Sequence, residues 1–592
     1  MRTGHRKTSI PSFLPTSGAL VPFWRLAALT AVLLFSEVHA GSVRLEFVHE
    51  LDGRPLRVPG IRGSSSLEVT RLDYLLTGLA LRRADGTWVE AAADWAAFVG
   101  SEAGRFSAQA DGLPAGKYNM ARFRVGVGRT LNAADPNQIA PGHALHPEVN
   151  KLHWGWQGGY VFLALEGRSG ADAFSYHVAT DANAMMVELP VEFDGTQPVT
   201  VRIALDVERI LAGVSPARDG NSTHSRAGDP LAARLKKNIE GAFRVVGVKA
   251  DTFQEIAAPR AVAKMPGTPL ALEISQRLPR VELPADNPPT VEGVALGRRL
   301  FHDTRLSRNN QQSCASCHSQ PFAFSDARTV SAGAEGQQGR RNSMPLFNLA
   351  WAQAFFWDGR AKTLREQVLK PIEDPSEMDA KLDDVLAKLR ADADYPHEFA
   401  AAFGGEITSE RLAMSLEQFL LTLVSQDSKF DRAARKLTTL TAEEQRGLQL
   451  FVTEHDPARG LRGADCFHCH GGNLFTSGTF ANNGLAPSKD EGRFEATKDE
   501  SDRGKFKVPS LRNVAATAPY MHDGRFATLE EVIEHYDHGV QRTGTLDPNL
   551  AKHPAVGLGL SADDKRALVA FLKTLTDENF IAPTKTETAQ TK

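Results

Sequence analysis

The chain has 592 residues, room for two or more domains. Hydrophobic content of 42% and charged content of 23% exclude a disordered or fibrous chain. A formal net charge of -3 leaves no basic footprint for nucleic acid, and no such partner is expected.

Residues 1–40 read as an export signal peptide. Arg2, Arg6 and Lys7 precede Arg25 and the apolar run Leu26 to Phe35, and Val38-His39-Ala40 offers a small residue for cleavage before Gly41. The apolar run is short for the alternative, an uncleaved membrane anchor.

From 41 to 250 the pattern is that of β-structure. Val43, Leu45 and Phe47 alternate with Arg44 and Glu46; Val199, Val201, Ile203, Leu205 and Val207 alternate with Thr200, Arg202, Ala204 and Asp206. Asp-Gly pairs at Asp52, Asp85, Asp111 and Asp194 punctuate the runs as turns. This predicts an all-β, antiparallel sandwich. Within it, Trp154 and Trp156 share one face if extended. On composition alone they read as core packing, and His49 and His177, taken singly, as hydrogen-bonded residues at strand ends.

Residues 251–290 form a linker in which Pro259, Pro266, Pro269, Pro279, Pro284, Pro288 and Pro289 favour an extended, semi-rigid path. From 291 to 580 the periodicity is helical, with apolar stripes such as Leu412, Leu416, Phe419, Leu420 and Leu423. Residues 581–592 are a polar tail.

The helical half contains Cys314-Ala-Ser-Cys317-His318 and Cys466-Phe-His-Cys469-His470, which use all 4 cysteines of the chain. C-x-x-C alone would also suit zinc or disulfides. A histidine directly after each pair points to covalent haem c, with the thiols on the vinyl groups and the histidine on the iron. Two haem c groups are therefore expected, attached through Cys314, Cys317, Cys466 and Cys469 and ligated by His318 and His470. Their maturation outside the cytoplasm agrees with an export signal and a periplasmic location. Gly297-Arg-Arg-Leu300-Phe301 precedes the first motif and Gly447-Leu-Gln-Leu450-Phe451 the second. The repeat indicates a duplicated, mainly α di-haem domain of two lobes. Thr441 with Glu444 three residues on predicts a capping box where the second of these helices starts.

The β-rich half resembles the MbnP family on Phe47-Val-His49, Arg71-Leu-Asp73-Tyr74, Pro114-Ala-Gly-Lys-Tyr118, His153-Trp154-Gly-Trp156-Gln-Gly-Gly-Tyr160 and Phe174-Ser-Tyr176-His177. Members are periplasmic copper-binding proteins in which a tryptophan is oxidised to kynurenine. The resemblance implies His49 and His177 as copper ligands and Trp154 or Trp156 as the modified residue. Trp156 is favoured because Trp154 adjoins His153. Two imidazoles suit copper, and zinc or nickel would accept them too.

The helical half resembles the bacterial di-haem cytochrome c peroxidases, in their MauG-like branch. The motifs are Asp303-Thr-Arg-Leu306-Ser307, Phe356-Trp357-Asp358-Gly359-Arg360, Pro371-Ile-Glu-Asp-Pro-Ser-Glu377-Met378 and Pro519-Tyr-Met-His522-Asp-Gly524, together with the two haem motifs. Peroxidases of this family often carry a ligating histidine in the loop after the first haem motif. Here Ala334 stands in its place, which implies an open iron on His318. Glu377 and Gln367 are implied on the open side of that haem, where a carboxylate can shuttle the proton needed to break an O–O bond. Tyr536 falls where the peroxidases have a methionine ligand to the second iron, and a phenolate favours the more oxidised metal. His535, His538 and Met521 are alternatives nearby. Trp357 is implied as a charge relay between the haems, and Asn342 with the carbonyls of Thr517 and Pro519 as a calcium site.

The expected enzyme is thus a two-domain oxidoreductase that takes hydrogen peroxide and oxidises a tryptophan of the β-domain to kynurenine, within one chain or between chains, maturing a copper site. In separately encoded systems of this kind, MbnH acts on MbnP. The alternative is a peroxide-detoxifying peroxidase fed by a small cytochrome or cupredoxin, with the β-domain as an accessory metal-binding module. A third reading is a copper-binding protein whose haem half acts once, in maturation.

Overall fold

The computed structural model describes residues 41–582 apart from 57, 59–66, 102, 156–157 and 252–263. The expected signal peptide, Trp156, part of the linker and most of the tail lie outside the described residues. Among the described residues, no helix is long and apolar enough to cross a membrane.

The first half is a sandwich of two sheets. One contains β1 (Gly41–Leu51); the other is built around β2 (Leu67–Arg83). After them come β3 (Ser107–Leu113), β4 (Lys117–Val125), β5 (Val161–Ser169), β6 (Asp172–Ala179) and β7 (Met185–Asp194). The half closes with β8 (Val199–Asp206), the two-residue β9 (Ser222–Thr223), helix α1 (Pro230–Glu240) and β10 (Phe243–Ala250). The first sheet runs β10-β8-β1-β3 and the second β7-β4-β2-β5-β6-β9.

Strict alternation of buried and half-buried residues along β1 puts the odd-numbered side chains, Val43 to Leu51, on the inner face. There Phe47, Tyr74, Phe123 and Phe243 meet edge to face, with ring centroids 5.6–6.3 Å apart. One expectation needs correction, because the sandwich is not wholly antiparallel. β1 and β8 pair in parallel, Val43 with Val199 through Glu50 with Asp206. A parallel pair needs a long crossover, and nearly all of the second sheet lies between these strands in sequence.

The second half is helical, with two separate hydrophobic cores. Its main helices are α2 (Val291–Phe301), α3 (Leu364–Glu373), α4 (Ser409–Leu421), α5 (Ala442–Phe451), α6 (Leu529–Glu534) and α7 (Ala562–Lys573). Thr290 caps α2 by accepting from Gly293 N, and the reciprocal Thr441–Glu444 box starts α5.

The repeated Gly-x-x-Leu-Phe segments explain the duplication physically. A Cβ on Gly297 would lie 2.0 Å from the Ser415 carbonyl oxygen, and one on Gly447 would lie 1.9 Å from that of Ala567. In each lobe, then, a glycine lets the helix before the cysteine motif press its backbone against a partner, α2 on α4 and α5 on α7. Leu300, Phe301, Leu450 and Phe451 follow into the two cores.

The described part of the proline-rich segment is bound to both halves. Arg280 N donates to Asn137 O at 3.1 Å, Trp351 Nε1 to Pro279 O at 2.8 Å and Asn473 Nδ2 to Arg277 O at 2.6 Å. It holds the sandwich against the second haem lobe, where Arg168 and Asn221 donate to the carbonyls of Leu546 and Lys552.

Candidate functional site: two haem-attachment motifs and a histidine cluster

Cys314 to Ser316 form a single tight turn, and His318 follows it. The His318 Nδ1 lies 2.8 Å from the Phe324 carbonyl, so the ring is fixed and Nε2 is the nitrogen left to bind iron. A cavity of about 530 Å³ opens beside it, lined by Cys314, Cys317, His318, Trp357, Gln367 and Glu377. Thiols, imidazole and space together fit a covalently attached haem.

Gln367 stands on α3, while Glu377 follows four residues after the helix ends. Burial, reinforced by the charge of Asp374 and opposed by Arg360, pushes the Glu377 carboxyl up to about 7. A group with that value exchanges protons at neutral pH. Ala334 N donates to the main-chain carbonyl of Glu377 at 2.6 Å, so the loop that carries Ala334 packs on the Glu377 backbone. Trp357 is held at both ends: its Nε1 donates to Asn342 O at 2.8 Å, and its carbonyl accepts from Lys507 N at 2.7 Å. The cavity continues past it to Val508 and Pro509 in the second lobe.

Asn342 Nδ2 donates to the carbonyls of Arg328 and Thr329, which turns its amide oxygen the other way. Asn342 N donates to His522 O, tying it to the loop that carries Thr517 and Pro519. The Thr517 hydroxyl is used locally, on Val514 O, so only its carbonyl would serve a cation.

The second motif repeats the first. His470 Nδ1 lies 3.3 Å from the Phe475 carbonyl, and burial lowers the imidazole to about 4, leaving it a neutral donor. Tyr536 sits in a wide π-helical turn, His535–Gly539, directly after α6. Such turns are rare and concentrate at functional positions. Asn483 Nδ2 donates to the Tyr536 hydroxyl at 3.3 Å and reaches Met521 Sδ at 3.4 Å. Burial raises the phenol pKa, opposed by the hydrogen bond from Asn483. Only a nearby positive charge would draw off its proton, and ferric iron is one. Of the alternatives, His535 Nε2 is already 3.0 Å from the Asn483 carbonyl, and His538 is exposed beside Glu534 and Asp537.

The copper ligands expected from the sequence are not brought together. His49 follows the β1 alternation into the sandwich core, where its Nε2 is 3.2 Å from the Tyr74 hydroxyl and its ring packs on Phe106. Among the described residues it joins no group of three possible metal ligands. His177 lies on β6 in the other sheet, and its companions are His224 and His468. The register explains the first: β9 pairs in parallel with β6, Ser222 with Ser175 and Thr223 with Tyr176, which brings His224 up beside His177. His468 comes from the haem domain, as the second intervening residue of Cys466-Phe-His-Cys469-His470. The three rings are 4.9–5.4 Å apart between centroids.

Trp154 belongs to the same neighbourhood. Its ring centroid is 5.5 Å from that of His224, and it lines a cavity of about 70 Å³ with His177, Phe467 and His468. Its neighbour Gly155 is pressed on the second haem motif, since a Cβ there would be 3.0 Å from Gly472 Cα. His224 and His468 escaped the sequence reading for different reasons. His224 stands in no quoted motif, and His468 was absorbed into a haem motif as a spacer.

A family model described as di-haem cytochrome c peroxidase matches residues 291–439, and one described as MbnP matches residues 40–225. The methylamine utilization protein MauG of Methylorubrum extorquens is 38% identical over 314 residues, 52% of this chain and 85% of the relative. A cytochrome c551 peroxidase of Nitrosomonas europaea is 35% identical over 302 residues, covering 50% of this chain and 83% of the relative. Among solved structures, a MauG-like protein associated with microbial copper homeostasis is 37% identical, with a TM-score of 0.47, covering 53% of this chain and 97% of that one.

Proposed function

The chain belongs to the di-haem cytochrome c peroxidase family, as a MauG-related oxidoreductase with two haem c groups joined to an MbnP domain, and from this we propose that it oxidises a tryptophan of its own β-domain to kynurenine at the expense of hydrogen peroxide. When bound, the haems supply an iron that accepts peroxide and a store for the oxidising equivalents. The protein does the rest. Glu377, near neutrality, takes a proton from one peroxide oxygen and returns it to the other. Gln367 lines the same cavity and orients the reactant. Trp357, fixed by two hydrogen bonds and lining the cavity that runs on to Val508 and Pro509, would serve as the relay. Tyr536 would hold the second iron as an anionic ligand that favours its oxidised state, and calcium at Asn342, Thr517 and Pro519 would hold the lobes in register.

The observation that carries this reading is the seat of the tryptophan segment. Trp154 and Gly155 rest against His224 and Gly472, beside the Cys466–His470 motif of the same chain. A substrate held there needs no diffusing partner, so modification proceeds within one chain. Trp154 is the described tryptophan at this place; Trp156 is the other candidate. The product's aromatic amine and carbonyl would border a copper site that includes His177. Covalent haem c requires the periplasm, reached through the signal peptide in residues 1–40.

Peptide mass mapping of residues 151–166, before and after peroxide, tests the proposal. Kynurenine is expected at one tryptophan. Unmodified peptide together with sustained turnover of a reduced cytochrome would favour a detoxifying peroxidase instead.

A further inference from the structure

We infer that His177, His224 and His468 form a transition-metal centre shared by the two domains, its third ligand supplied from inside the second haem-attachment motif. One nitrogen from each ring lies within 4.8 Å of the others, and the Nε2 atoms of His224 and His468 face each other at 2.9 Å. The side chains are only 6%, 7% and 3% exposed, respectively. Packing three imidazoles together away from water has no apolar advantage, since each buries polar nitrogens that need partners.

The far side of each ring faces a carboxylate, through hydrogen bonds at His177 and His224 and through a close contact without hydrogen-bond alignment at His468. His177 Nε2 is 2.9 Å from Glu166 Oε1, His224 Nδ1 is 2.9 Å from Glu454 Oε2, and His468 Nδ1 is 2.8 Å from Asp465 Oδ1. A carboxylate beside the outer nitrogen is the support that metal-bound imidazoles have; where it is hydrogen-bonded, at His177 and His224, it fixes the tautomer and turns the other lone pair inward. The inward atoms are then Nδ1 of His177 and Nε2 of His224 and His468. Nδ1 of His177 is buried with no hydrogen-bond partner in the protein. An unpaired buried lone pair costs free energy unless an ion takes it.

Bonds of ~2.0 Å would hold tetrahedral ligand nitrogens ~3.3 Å apart, so the 2.9 Å pair opens slightly as His177 closes in. The neighbouring cavity of about 70 Å³, which Trp154 lines, provides a fourth, open position for water or a product carbonyl. Three imidazoles with one open position suit copper or zinc over magnesium or calcium. This deepens the proposed function by naming the metal's ligands, yet metal binding and tryptophan oxidation are read by separate measurements.

The test uses the full-length holoprotein with both haems, stripped of other metal and titrated with Cu(II) or Zn(II). Bound metal is counted by elemental analysis, and nitrogen ligation of Cu(II) is read by electron paramagnetic resonance. One ion per chain with three imidazole nitrogens is expected. His224→Ala, which leaves the haem motif untouched, and His468→Ala, checked for full haem content, are each expected to weaken binding at least 100-fold. His49→Ala is expected to leave it unchanged. Tight one-to-one binding retained by both His224→Ala and His468→Ala, or lost in His49→Ala, would overturn the proposal. Copper retention with zinc rejection, or the reverse, identifies the ion. Mass mapping of the tryptophans in the same samples shows whether oxidation continues without the metal.

Discussion

Ala334 donates its amide hydrogen to the main-chain carbonyl of Glu377 at 2.6 Å, which lays the loop after the first haem motif against the Glu377 backbone. A methyl group at this place cannot ligate iron as an imidazole would. The contact ties the loop to the backbone of the residue whose carboxyl lines the cavity. Gly333 makes the approach possible, because a Cβ there would be 2.4 Å from the Ser376 carbonyl oxygen.

Glu377 sets the first prediction. Its carboxyl is pushed up to about 7, so it is mostly protonated at pH 6 and mostly ionised at pH 8. If the carboxylate is the form that takes a proton from peroxide, the rate of reaction with peroxide rises with pH and levels off above about 7. Glu377→Gln is expected to flatten this profile and slow the reaction by ~100-fold or more, with the ferric spectrum unchanged. Rapid-mixing absorption measurements across that range decide it; a wild-type profile in the variant assigns the proton transfer elsewhere.

Tyr536 provides the second. Tyr536→Met exchanges a hard anionic donor for a thioether and is expected to raise the potential of the second haem and give a His/Met spectrum. Tryptophan oxidation should be lost while peroxide still reacts at the first haem. An unchanged ligand-field spectrum would remove Tyr536 from the iron.

The third concerns the seat of the tryptophan. Protein with Cys314→Ser and Cys317→Ser lacks the haem proposed to take peroxide and is expected to keep Trp154 and Trp156 intact. In otherwise unaltered protein, Trp154→Phe should abolish kynurenine in the peptide covering residues 151–166. Kynurenine persisting in that variant would identify Trp156 as the substrate.

A fourth tests the duplicated helix crossing. Gly447→Ala puts a methyl 1.9 Å from the Ala567 carbonyl oxygen, backbone against backbone, so α5 and α7 must move apart. Overpacking of this kind costs about 1–3 kcal/mol. A lowered melting temperature is expected, with the second haem lost before the first. Unchanged thermal unfolding would show that the crossing tolerates the strain.

The sequence alone determined what is local or periodic. Two C-x-x-C-H motifs specify haem attachment because both thiols and the ligand come from one turn of chain. Alternation along β1, the Thr441–Glu444 box and the repeated Gly-x-x-Leu-Phe segments declare sheet, helix start and duplication because each works over a few residues. The tertiary structure decided what depends on distant chain segments meeting. His49 and His177 look equivalent in sequence, yet strand alternation sends His49 into the core beside Tyr74, while a parallel pairing of β6 with β9 gives His177 a neighbour in His224. His224 then meets His468, 244 positions away, because the sandwich docks on the second haem lobe. No spacing rule spans such a separation; only the packed surfaces of two independent cores bring those nitrogens to one point.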